Sequence, residues 1–244
     1  LLAGKSLKIT GMNVYRIKTT SDMKNIIYFL LLAVGMSACT NDDYLIDGGT
    51  ANPKVDMTTY DFLRSKPLFD TLVMAIDIAG LKDKVNEAKT FYVPTNFSFN
   101  KYITAELELR KKLDADAVYT FDSIPRAEFD SLQMYMFGEY LTRDSLVKEG
   151  EIYTSFIGKE FKLSKEPQDA YQDDLVIQPE YLYFINKVGR QFDSYEDTVD
   201  GNVASSEKDE RIIVQTSGII TTTGVVHVLN NNHTLFFHVA KLQN

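Results

Sequence analysis

Hydrophobic spacing divides the chain into a helical half and a strand-rich half. Within residues 56–85, Thr58 or Thr59 is placed to cap a first helix. Leu68, Leu72 and Ile76, at i, i+4 and i+8, form one face of a second that stops at Gly80. Thr90-Phe91-Tyr92-Val93 is aromatic and β-branched, which predicts a buried strand, and Pro94 ends it because it has no N–H for a sheet ladder. Thr95 or Asn96 then caps a helix whose Phe97 and Phe99 turn inward. Over residues 105–121 leucines are interleaved with charges, predicting an exposed amphipathic helix inserted over the domain. Ser123 and Pro125 open the next helix, with Phe129, Leu132, Met136 and Tyr140 along one face.

Past Tyr153 the period shortens to that of strands. Residues 153–157 and 160–163 flank Gly158-Lys159 as a hairpin, and residues 175–177, 181–188 and 212–216 read as further strands. Thr221, Thr223 and Gly224 make a turn into Val225-Val226-His227-Val228-Leu229, apolar enough to be buried on both faces. A lone imidazole in such a run is usually a satisfied core group, so His227 is read as structural. Two stretches read as surface insertions: residues 164–174, with Pro167 and Asp173-Asp174, and residues 194–211, which are acidic and almost free of apolar side chains. The fold class expected is α+β, one domain over residues 57–240 with N-terminal helices packed on a mixed β-sheet or sandwich.

The N-terminus predicts an address. Lys24, an 11-residue apolar run from Ile26 to Met36, and Ser37-Ala38-Cys39 form a positive segment, a hydrophobic segment and a small-residue cleavage point. The run is too short for a transmembrane helix, which needs about 20 apolar residues. Met36-Ser37-Ala38-Cys39 resembles a bacterial lipobox, with Met in place of the usual Leu; Cys39, the chain's one cysteine, would then be acylated and no internal disulfide can form. Residues 1–22 read as an upstream extension, with Met23 the expected start and Met12 the alternative. Residues 23–38 read as the signal peptide, and 39–56, with Gly48-Gly49 and Pro53, as a lipidated flexible tether. Asp42-Asp43 just behind Cys39 resembles an export signal to the outer face of a Gram-negative outer membrane; a solvated tether is the equal alternative, and the periplasmic face the alternative location.

From Cys39 onward 206 residues carry 21 Lys and Arg against 33 Asp and Glu, a net charge of −12. Such a surface repels phosphate backbones and anionic headgroups, which argues against nucleic acid and leaves the lipid as the membrane contact. No composition break divides this length into two cores, and no repeat is visible.

Catalytic signatures are missing: no nucleophile elbow, no dinucleotide or phosphate loop, no His-Glu-x-x-His. His227, His233 and His238 are spaced by six and five residues with no intervening carboxylate, so neither a metal nor a cofactor is expected. There is no Trp to stack sugars, which leaves Tyr135, Tyr181 and Tyr183 as candidate binding aromatics, with core or cross-strand packing the commoner role of such residues.

Two distant segments carry a resemblance. Thr90, Phe91, Pro94, Thr95, Asn96 and Phe99 resemble the leading signature of fasciclin (FAS1) domains, and Gly224, Val226, His227 and Val228 its closing signature. The resemblance is specific at these two ends, and the order of elements carries the middle. It implies a non-enzymatic adhesion or binding module recognising an extracellular protein or glycan, or else an accessory subunit of an outer-membrane glycan-uptake or similar assembly. It also requires the two segments to lie close in the folded chain. The family often carries a Tyr-His pair near Tyr135; here the stretch is Gln133-Met134-Tyr135-Met136-Phe137, without the histidine, so integrin-type recognition through that pair is not implied.

Overall fold

A computed structural model describes residues 53–168 and 178–238. The expected extension, signal peptide and lipidated Cys39, and all but the last few residues of the tether, lie outside the described residues, as do the expected strand at 175–177 and the end of the domain at 239–240. The described residues form one compact unit. Its chain order is α1 (Thr59–Arg64), α2 (Asp70–Ala79), α3 (Lys82–Glu87), β1 (Thr90–Val93), α4 (Asn96–Lys111), α5 (Arg126–Phe129), β2 (Met136–Phe137), β3 (Glu151–Thr154), β4 (Glu160–Pro167), β5 (Glu180–Asn186), α6 (Tyr195–Asp200), β6 (Glu210–Ile220) and β7 (Val225–Leu229). This is the α+β class that the sequence predicts.

The strands make one seven-stranded mixed sheet in the order β2-β1-β7-β6-β5-β4-β3. Among these seven strands β1 and β7 are the pair that runs parallel, with Phe91 opposite Val226 and Tyr92 opposite His227. The sheet curls on itself, with β6 shared between its two halves. Its two ends meet where Phe137 bridges Ser155 and Phe156 N–H donates to the Met136 carbonyl at 3.0 Å. Closing a sheet this way removes the open edges that would otherwise invite pairing with other chains.

Aromatic rings fill the interior. Tyr92 stacks between Phe184 (4.9 Å between centroids) and His227 (4.8 Å), and Phe184 stacks in turn on Phe161 (4.5 Å). Phe137 meets Tyr92 and Phe161 edge-on. Rings from β1, β2, β4, β5 and β7 thus form a single cluster, in the offset and edge-to-face geometries that the ring quadrupole favours.

The helices cover the β1 end. Thr58 caps α1 by accepting from Asp61 N–H, while Thr59 does a different job: its N–H donates to Thr223 Oγ1 at 2.9 Å and its hydroxyl meets that of Thr221 at 2.9 Å, clasping the turn before β7. Helix α2 ends at Gly80, whose φ of 74° is left-handed. Leu68 precedes that helix in the 3₁₀ turn Pro67–Phe69 and is not part of its face.

Several expected details differ. Neither Thr95 nor Asn96 caps α4: Asn96 Oδ1 accepts from Thr71 N–H (3.0 Å) in the first turn of α2, and Thr95 Oγ1 donates to Asn231 Oδ1 (3.1 Å). Both side chains thus tie α4 to its neighbours. Phe99 is buried as expected, but Phe97 is 50% exposed, because residues two apart on a helix lie on different faces. Helix α4 runs unbroken to Lys111, so residues 105–111 are its second half and not an inserted element; no Gly or Pro interrupts it. The helix expected past Pro125 breaks after Phe129 into the 3₁₀ segment Asp130–Tyr135, and Met136 belongs to β2. Ser164 to Pro167 extend β4 and are not loop; the remainder of that expected insertion, residues 169–174, lies outside the described residues. Residues 194–211 are ordered as well: Ser194 caps α6, Gly201 ends it, and Asp193 and Asp209 each accept the other's backbone N–H, at 2.8 and 2.9 Å. That clamp ties the two ends of an excursion whose polarity alone predicts a loose loop.

Gly224 marks the start of β7 for a packing reason. A Cβ there would lie 2.6 Å from the Ala88 carbonyl oxygen and 2.8 Å from that of Lys89, both backbone atoms that cannot swing aside. Gly224→Ala is therefore expected to destabilise the domain by about 1–3 kcal/mol, read as a lower unfolding midpoint in chemical denaturation; an unchanged midpoint would contradict this packing.

Candidate binding site

The two signature segments lie side by side. Thr90, Phe91, Tyr92 and Val93 pair in register with Val225, Val226, His227 and Val228, and Pro94, Thr95 and Asn96 follow directly at the strand's end. Thr90 is buried, and its hydroxyl donates to the Glu139 carbonyl (2.7 Å) and accepts from Leu141 N–H (2.8 Å), holding the 138–141 segment against β1. These residues build the frame, and none of Phe91, Phe99, Val226 or Val228 reaches solvent.

His227 is fully buried with both ring nitrogens partnered. Nε2 lies 2.8 Å from the Leu141 carbonyl, which can only accept, so Nε2 carries the proton; Nδ1 accepts from Gly218 N–H at 3.3 Å. Burial penalises the imidazolium and lowers the His227 pKa to about 4, the Leu141 carbonyl opposing the shift only in part.

Tyr135, one of the candidate binding aromatics, has no exposed surface. Its hydroxyl accepts from Phe236 N–H (2.7 Å) and meets His233 Nε2 at 2.8 Å. The ring is committed to the core and presents no face to a ligand, which corrects its placement among binding residues. A histidine does accompany this tyrosine, but it comes from 98 residues further along. Phe236 and Phe237 beside it adopt positive φ, 61° and 55°, a conformation non-glycine residues hold only where packing enforces it. Burial also lowers the His233 pKa, to about 3.

Tyr183 and Tyr181 sit on the outer face of β5. Tyr183 is only 9% exposed: the Arg211 guanidinium lies 4.7 Å over its ring, and Gln168 Nε2 donates to its hydroxyl at 2.6 Å. Arg211 also forms a buried ion pair with Glu166, which accepts from Ser164 Oγ at 2.5 Å. Lys162, buried on the same face, donates to the Asp193 carbonyl at 2.8 Å, and desolvation lowers its pKa. This face of β4–β5–β6 is polar yet enclosed, and Lys162 ties it to the 187–209 excursion. Buried, fully partnered charges of this kind fix geometry; removing one partner strands the other.

Tyr181 is different. It is half-buried and lines a groove of about 510 Å³ between β5 and β6, with Leu182, Ile213 and Val214 as apolar walls and Gln215 and Ser217 as polar ones. Arg143 closes one end, donating to the Glu180 carbonyl at 2.9 Å. The sequence flags Tyr181 through its aromatic character, but the groove itself was not legible, since it arises where two strands part. Among the described residues, no group of three or more His, Cys, Asp or Glu is arranged to hold a metal ion, and no helix is long and apolar enough to cross a membrane.

No protein-family model matches the sequence, and no curated protein does. Among solved structures, the chain is similar to the FAS1 domain pair of the insect cell adhesion molecule fasciclin I, at 15% identity and a TM-score of 0.46. The similarity covers 74% of this chain and 51% of that one, so this chain spans about half the length of the protein it matches.

The lowered histidine pKa values have a definite sign. Unfolded histidine titrates near its ordinary value of 6.5 and folded His227 near 4, so below pH 6.5 the unfolded state binds the extra proton. The contribution of the neutral His227 is complete above about pH 7 and is lost as pH falls from 6.5 through 4. In thermal unfolding scans across that window, His227→Gln is expected to flatten the fall relative to the parent. It should also lower stability at pH 7 by roughly 1–3 kcal/mol by disturbing the Leu141 and Gly218 bonds; an unchanged pH profile would contradict the buried neutral imidazole.

Proposed function

We propose that this chain is a lipid-anchored binding module of the fasciclin type, recognising an extracellular protein or glycan without catalysis. The observation that carries the reading is the in-register pairing of residues 90–93 with residues 225–228, which brings together the two segments whose resemblance to fasciclin domains depends on their proximity. A groove presenting Tyr181, apolar walls and hydrogen-bonding side chains supports a binding role. The polar groups on the neighbouring face are already engaged with one another, which favours a scaffold over a reaction centre.

The anchor rests on the pattern around Cys39, and the cell surface is the proposed location, with the periplasmic face the alternative. A second reading, an accessory subunit docked on an outer-membrane assembly, is favoured by Met74 and Ile78. One turn apart on α2, they are 52% and 43% exposed.

Two measurements test the proposal. Cys39→Ala is expected to move the protein from the membrane fraction to the soluble fraction with the domain still folded; retention in the membrane would contradict the anchor. On arrays of extracellular matrix proteins and glycans, the intact chain should be retained, and Tyr181→Ala should weaken retention roughly tenfold, as loss of an aromatic anchor in a binding groove does. Equal retention of parent and variant would move the site elsewhere.

A further inference from the structure

A second groove runs along the outer side of α4, and it shares no wall residue with the groove beside Tyr181. Phe97, Asn100, Thr104 and Glu108, at i, i+3, i+7 and i+11, form one stripe of that helix about 16 Å long. The turn after β7 supplies the opposite wall through Asn231 and Thr234, and the space between is about 390 Å³.

The stripe differs from an ordinary solvated helix face. Phe97, half exposed in the first turn, stacks on no ring among the described residues. Asn100 and Thr104 are weak helix formers at positions where Glu, Lys or Ala would serve the helix better. Thr104 does not turn its hydroxyl back to the carbonyl four residues earlier, and among the described residues none shares a side-chain hydrogen bond with Asn100, Thr104, Glu108 or Thr234. A local preference set aside with no local compensation is the mark of a functional position.

The opposite wall is held in place. Thr95 Oγ1 donates to Asn231 Oδ1 at 3.1 Å, which leaves the Asn231 Nδ2 as a donor, and Lys101 Nζ donates to the Asn232 carbonyl at 2.8 Å. A smaller hollow of about 160 Å³ adjoins the groove at Thr234, with His233 in its wall. The Tyr135 hydroxyl accepts from Phe236 N–H and gives its own proton to His233 Nε2, so the imidazole carries its proton on Nδ1, a buried donor with no partner among the described residues. Leaving such a donor unpaired is costly, and an oxygen of a ligand reaching past Thr234 would satisfy it.

We infer that the α4 groove binds a neutral oligosaccharide, with a pyranose ring stacked on Phe97 and its hydroxyls shared among Asn100, Thr104, Glu108 and Asn231. A pyranose offers an apolar C–H face and a rim of hydroxyls that both donate and accept, which matches one exposed aromatic face set among amides, hydroxyls and a carboxylate. Lys101 and Glu108 bring opposite charges to the groove, so it has no net charge to attract a uronic or sulfated chain, and the acidic balance of the protein repels one. A peptide fits less well, because Ala105 alone is aliphatic among the described residues that line the groove. This inference rests on the binding role proposed above and assigns its glycan half to α4, leaving the Tyr181 groove to a protein.

The test sets the full chain on an array of neutral gluco-, manno-, galacto- and N-acetylglucosamine oligosaccharides, beside uronic and sulfated ones and an array of matrix proteins. A subset of the neutral glycans should be retained in preference to the anionic ones. Phe97→Ala should weaken that retention roughly tenfold or more and Asn100→Ala several-fold, with Phe97→Tyr close to the parent. Because Phe97 is half exposed, Phe97→Ala should unfold at the parent's midpoint, which separates lost binding from lost fold. The loss expected of Tyr181→Ala should then fall on the matrix proteins.

Glycan retention indifferent to Phe97→Ala, or abolished by Tyr181→Ala, would overturn the site on α4 and leave the binding role standing. Preferential retention of anionic glycans, or of matrix proteins with no glycan, would overturn it too. Failure to retain any glycan or matrix protein would bring down the binding role with it.

Discussion

The parallel pairing of β1 with β7 is the constraint on which the rest of this structure depends. It joins residues 135 positions apart in the chain and seats Tyr92 against His227, the ring contact from which the aromatic stack through Phe184 and Phe161 extends. It also sets the position of the turn at Thr221 to Gly224, whose hydroxyls hold the start of α1 and whose glycine passes against the Ala88 and Lys89 carbonyls. So non-local a pairing brings a large loop-closure entropy before its contacts are rewarded, and the dense aromatic interior is what offsets it.

His227 belongs to the same arrangement. A neutral imidazole in the middle of a buried strand is tolerated because the Leu141 carbonyl and the Gly218 N–H meet its two nitrogens, one as acceptor and one as donor. Its bond to Leu141 fastens the segment after β2 to β7, and Thr90 holds that segment from the other side. Side-chain hydrogen bonds thus secure the stretch between β2 and β3, where the chain has little regular structure of its own.

Much of this was legible in the sequence, and the omissions share a cause. Strong local patterns gave the right elements: the aromatic and β-branched run at 90–93, the apolar run at 225–229, the hairpin around Gly158-Lys159 and the stop at Gly80 all appear where local chemistry places them. What failed depended on partners far along the chain. Asn96 reads as a cap for its own helix but serves the N-terminus of α2, and Tyr135 reads as an available aromatic but is enclosed by a C-terminal turn. The acidic stretch at 194–211 reads as loose because its composition is polar, whereas the mutual bonds of Asp193 and Asp209 and the cap at Ser194 order it. The groove depends on where two strands part, and no single-strand pattern records that.

The most direct test of this account is the register of the central pair, measured as cross-strand nuclear Overhauser effects in isotope-labelled protein. Contacts between the backbone protons of Phe91 and Val226, and of Tyr92 and His227, are the predicted result. Their absence, or a register shifted by one residue so that Tyr92 and His227 face opposite sides of the sheet, would contradict the arrangement on which the core rests.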